Sequence, residues 1–136
     1  MAITFDYEKH SSPIFGDVYR PVAQVYFFSQ QKNRWYEVWM IVDTGADYTL
    51  LPKHFSTRLG IDLKNDCRAF YTSGIGGQEK VYLTRNVKVR IGSWERIIPV
   101  GFLDRENMPP LLGRYQFFET FEVLFSSNYS LTFTAK

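Results

Sequence analysis

The chain has 136 residues, 45% hydrophobic and 18% aromatic, a length and apolar content that suit one domain with one unstapled core. Its 16 basic and 14 acidic residues are scattered, with no run of Lys or Arg, which argues against nucleic acid or an anionic membrane as partner. Cys67 is the only cysteine and His10 and His54 the only histidines, which excludes an internal disulfide, leaves too few soft ligands for zinc and favours a reducing, cytoplasmic compartment.

Residues 1–16 show little pattern and read as an N-terminal extension or arm, with the domain proper over 17–136. "MAITFDYEKH" lacks the apolar run of a signal peptide, and no segment approaches the roughly 20 apolar residues of a membrane span. "VAQVYFF" (22–28) and "WYEVWMIV" (35–42) flank a polar turn and predict a β-hairpin. Pro52 suits the first turn of a short helix through Leu59, with Gly60 as its stop. "SGIGGQ" (73–78) is a glycine-rich tip between extended segments. In "VYLTRNVKVRIG" (81–92), Val87, Val89 and Ile91 alternate with Lys88 and Arg90, the mark of a half-buried strand. "ERIIPVGFL" (95–103) predicts another strand, and residues 114–119 a second short helix. "FEVLF" and "YSLTF" around Ser126-Ser127-Asn128 predict a closing hairpin, and Asn128-Tyr129-Ser130 reads as a chance glycosylation sequon. There is no internal repeat or linker, so the class is all-β.

The chemistry concentrates in "WMIVDTGADYTLLP" (39–52), where an acid ends an apolar strand. A carboxylate buried there must be paired or neutralised. The plain reading of Asp43-Thr44-Gly45 is an Asx-turn, with the Asp side chain bonding nearby amides. Two further pieces stand in order after it: Gly74-Ile75-Gly76-Gly77, and Leu111-Leu112-Gly113-Arg114. A phosphate loop is set aside for the glycines, because no Lys-Ser/Thr follows them.

These three pieces together resemble the retropepsins, single-domain aspartic proteases of retroviruses and their cellular relatives, over about residues 20–134. The resemblance implies a closed β-barrel with one or two short helices and a glycine-rich flap hairpin, acting as a symmetric homodimer. It implies an endopeptidase that takes peptide or protein substrates and uses no cofactor or metal. Asp43 would be the catalytic carboxyl, one per chain, with a water activated between two copies. Thr44 would bond across to the partner loop, Gly45 would allow the tight turn, and Arg114, after Gly113, would brace the loop through Asp47. Ala46, Asp47 and Tyr48 would line the substrate groove under a flap of Gly74, Ile75, Gly76 and Gly77. Ser73 and Tyr48 depart from the family's usual glycine and acid. Tyr71, before the tip, is similar to the flap tyrosine of pepsin-like enzymes. The last strand, Tyr129 to Thr134, would interleave with a partner's, or else close its own sheet. A catalytically silent peptide-binding or scaffolding domain is the second reading, and a unit cut from a polyprotein the third.

Overall fold

The computed structural model describes residues 1–74 and 76–136. In chain order the strands begin β1 (Ala2–Asp6), β2 (Glu8–Ser12), β3 (Gly16–Arg20), β4 (Val22–Ser29), β5 (Arg34–Val42) and β6 (Thr49–Pro52). A short helix, α1 (Phe55–Leu59), precedes β7 (Arg68–Gly74), β8 (Gly77–Ile91), β9 (Trp94–Leu103) and β10 (Leu111–Leu112). A 3₁₀ turn (Phe118–Thr120) leads to β11 (Phe121–Ser126) and β12 (Ser130–Ala135). Strand dominates and helix is almost absent, as the composition of the segments predicts.

The main sheet has the order β4-β5-β10-β6-β9-β8-β7, and β4 pairs again with β8 through Tyr26↔Arg90 and Phe27↔Val89. Alternation sets its faces. Ala23, Val25 and Phe27 of β4 and Val38, Met40 and Val42 of β5 are buried, while Gln24, Tyr26, Trp35 and Trp39 point outward. Val87, Val89 and Ile91 of β8 are buried, and Lys88 and Arg90 lie on the other face over Phe28, Tyr26 and Trp35.

One device lets β8 serve two neighbours. Its pairing with β9 slips between Thr84↔Val100 and Val87↔Ile98, so Arg85 and Asn86 oppose the single residue Pro99. Proline has no N–H to give a ladder, and Asn86 adopts a φ of 63°, which asparagine tolerates better than most residues. A bulge at that position bends the strand. Before it β8 pairs with β7, and after it with β4.

The two helix expectations need correction. Pro52 pairs with Leu103 as the last residue of β6, so α1 starts only at Phe55. Gly60 does end it, in the left-handed region at φ 70°, with its amide on the Thr57 carbonyl at 3.1 Å. Residues 114–119 do not form a helix: Arg114 and Tyr115 donate their amides to Ala46 and Asp47, and Gln116 has a φ of 58°. Only the 3₁₀ turn remains.

The terminal sheet has the order β1-β12-β11. β12 is central and is paired on both sides within its own chain, so it closes its own sheet rather than offering an edge for interleaving. Phe5, Leu131, Phe133 and Phe121 of this sheet pack into the same core as Val25, Met40 and Phe102 of the main one. Phe133 meets Phe5 at 6.1 Å and Phe121 at 5.7 Å between ring centroids, both edge-to-face. No helix among the described residues is long and apolar enough to cross a membrane.

Phe133→Ala removes a fully buried ring at this junction. The expected loss is about 3–5 kcal/mol of unfolding free energy, read from urea denaturation. A loss under about 1 kcal/mol would mean that the terminal sheet does not share the main core.

Candidate active site

β5 delivers Asp43 at its end. The Asp43 amide donates to the Leu112 carbonyl at 3.1 Å, its carbonyl accepts from the Ala46 amide at 3.1 Å, and its Oδ1 accepts from the Gly45 amide at 2.9 Å. The Asx-turn is therefore present, and it fixes one carboxyl oxygen. Oδ2 takes no hydrogen bond among the described residues. Asp43 is half-buried, while Thr44 and Gly45 are exposed.

The loop is clamped from behind by the segment after β10. Gly113 lies so close that a Cβ there would sit 2.1 Å from the Tyr48 carbonyl carbon and 2.3 Å from its oxygen. No side chain fits, which gives the physical reason for glycine. The Gly113 amide donates to Oγ1 of Thr49 at 3.2 Å, and Thr49 is fully buried. Arg114 and Tyr115 extend the clamp with amides on the Ala46 and Asp47 carbonyls, at 3.0 and 2.8 Å. The Arg114 guanidinium then reaches over the top, with Nη2 2.6 Å from Oδ1 of Asp47 and Nη1 on the Thr44 carbonyl. Both side chains are substantially exposed, so the ion pair alone contributes little stability; its fork fixes geometry.

Tyr48 leans over a small second core of Val81, Leu103 and Met108, with its ring 6.3 Å from that of Phe70. Burial raises its phenol pKa, and the Asp47 charge adds to the rise, so it stays a neutral donor at ordinary pH. A cavity of about 390 Å³ opens beside it, lined in part by Asp47, Tyr48, Leu83, Arg114 and Tyr115. The β7–β8 hairpin closes with the pair Gly74↔Gly77, and a Cβ on Gly74, Gly76 or Gly77 would meet nothing within 4 Å. Ile75 lies outside the described residues. Tyr71, on β7, is 65% exposed.

The structure thus brings together Asp43, Thr44, Gly45, Ala46, Asp47, Tyr48, Gly113 and Arg114. Two contributors escape a sequence reading. Thr49 is a buried hydroxyl whose only signal is a polar residue in an apolar run, and Tyr115 acts through its backbone amide, which no side chain betrays.

Cys67 is a poor nucleophile. Burial, then the charges of Asp66 and Asp62, push its thiol up to about 11, so it is protonated at neutral pH. The neutral form is the one the fold favours. Its stabilising contribution is present below the unfolded thiol's value and lost as pH rises through about 11.

A family model described as Aspartyl protease matches residues 32–115, more than half of the chain. A comparison with curated proteins returned no match.

Three outcomes follow, two from the space around the glycines and one from the Cys67 thiol. Gly113→Ala should cost about 3 kcal/mol or more by urea denaturation, because the new methyl meets backbone. Gly76→Ala, which faces open space, should cost under about 0.5 kcal/mol. At pH 8, iodoacetamide should label Cys67 in the folded protein at least about tenfold more slowly than in urea.

Proposed function

We propose that this chain, which belongs to the aspartyl protease family of the retropepsin-like clan, hydrolyses peptide bonds with its Asp43 and the Asp43 of a second copy. The observation that carries the reading is the Asp43 carboxyl itself: half-buried at the end of an apolar strand, held on one oxygen by the Gly45 amide, and with no hydrogen bond to the other among the described residues. The chain has one Asp-Thr-Gly, and the chemistry uses two carboxyls, so a symmetric dimer supplies the second.

Two carboxyls face to face share one proton, because both cannot be ionised; aspartic proteases are the usual illustration of this coupling. The ionised member takes a proton from water as the water oxygen attacks the peptide carbonyl carbon. The protonated member gives its proton to the carbonyl oxygen. Transfer of a proton to the peptide nitrogen, as the C–N bond breaks, then releases an amine and an acid. Thr44, exposed beside Asp43, bonds across to the other copy's loop in this reading. The substrate lies extended along Ala46, Asp47 and Tyr48, and the β7–β8 hairpin with Gly74, Gly76 and Gly77 closes over it as a flap that adds a strand. The return of β4 onto β8 supports a closed barrel as the scaffold. Tyr48 on its apolar cluster favours apolar substrate side chains.

Asp43→Asn should abolish cleavage across a peptide library while leaving circular dichroism and melting temperature unchanged; equal turnover by both forms would remove Asp43 from the chemistry. Arg114→Lys should lower stability by no more than about 1 kcal/mol. It should lower kcat/KM by about tenfold or more, because one ammonium cannot hold Asp47 and the Thr44 carbonyl together.

A further inference from the structure

The β2–β3 hairpin is a built element with no core of its own. None of its ten strand residues is buried. At its tip Ile14 is 79% and Phe15 78% exposed. The tip is nonetheless shaped. Oγ of Ser12 accepts the amides of Ile14 and Phe15 at 3.2 and 3.1 Å, and Gly16 turns the chain at φ 73°. Its contacts are almost all between its own strands. It is tied to the rest of the fold by Tyr19, whose ring stacks on Tyr129 at 4.0 Å and 13°. A two-stranded ribbon alone is marginal in water, and two large apolar side chains held out at its end make it less favourable still.

The hairpin's root lies beside the candidate active site. β3 ends at Arg20, and the carbonyl of the next residue, Pro21, accepts the amide of Val42 at 2.9 Å. Val42 directly precedes Asp43. Five-residue strands reach about 17 Å, far enough to lie along a body seated opposite Asp43. Tyr19, stacked on Tyr129, and Leu124 and Phe125 of β11 are also exposed apolar side chains, at 37%, 52%, 64% and 40%. β12 is already paired on both sides, so it is not available as an exchanged strand.

We propose that the β2–β3 hairpin is a dimerisation arm: its Ile14–Phe15 tip docks on the apolar surface of a second copy of this chain and holds the two Asp43 loops together. The proposal rests on the reading above for its need of a second copy. It places the main grip in the hairpin.

Sedimentation velocity on the full chain tests it, with the wild type, Asp43→Asn, Ile97→Ser as an exposed apolar control, and Ile14→Ser/Phe15→Ser. The first three should form dimers of equal affinity. The tip variant should dissociate with a Kd at least tenfold higher, with unchanged circular dichroism, since neither side chain is buried. Its activity per chain should return when the protein is concentrated, which a residue acting on substrate would not show. A tip variant that dimerises like the wild type would overturn the arm and leave the hydrolytic reading intact. A wild type that stays monomeric at every concentration would overturn both. A wild-type dimer that the tip variant dissociates, but that cleaves no peptide, would support the arm and remove the hydrolytic reading. Co-flotation of the wild type with phosphatidylcholine–phosphatidylserine vesicles, lost in the tip variant while the dimer persists, would overturn the arm in favour of a membrane contact.

Discussion

The geometry of the candidate site depends on one close approach between two stretches of backbone. The carbonyl of Tyr48 and the α-carbon of Gly113 are so near that a methyl group cannot come between them. That approach puts the amides of Arg114 and Tyr115 onto the carbonyls of Ala46 and Asp47 and brings a guanidinium over the Thr44 carbonyl. The loop carrying Asp43 is thus fixed by main-chain atoms, which have no rotamers to lose. Side-chain contacts refine a placement the backbone has already made.

β10 makes the approach possible. It has only two residues, yet it pairs with β5 on one side and β6 on the other. Leu112 is fully buried beneath the loop. Apolar burial therefore holds the strand down, and the polar chemistry begins at the first residue past it. The same economy appears at Pro99, where a residue unable to donate a ladder bond faces a bulge that needs none.

Much of this was legible in the sequence, for reasons that are local. Alternation named the inward residues in the second half of β8, because that strand has one face on the core, while β4 and β5 could be read as a hairpin from their apolar runs around a polar turn. Asp43, Gly113 and Arg114 could be picked out because their order and spacing belong to one arrangement. What stayed hidden depends on distant partners. "EKHSS" and "GDVYR" carry no apolar period, since their hairpin buries nothing. Pro52 resembles a helix start until Leu103, just over fifty residues on, pairs with it. Residues 114–119 are helix-like in isolation, but the amides of Arg114 and Tyr115 are taken by the Ala46 and Asp47 carbonyls. The family match over residues 32–115 covers the readable middle of the chain; the terminal sheet lies wholly outside it.

That sheet has a kinetic consequence. Thr4 bonds Thr132, 128 positions further along the chain, and the Phe5–Phe133 contact spans a loop as long. Closing a loop of that length carries a large entropy cost before any contact repays it, so topologies of this kind fold slowly. Until the sheet forms, Phe121, Leu131 and Phe133 lack their cover, and the main ladder stands with one side of its core open to water. A chain with its two ends unpaired therefore shows aromatic surface, and every opening of the terminal sheet offers the same rings to aggregation.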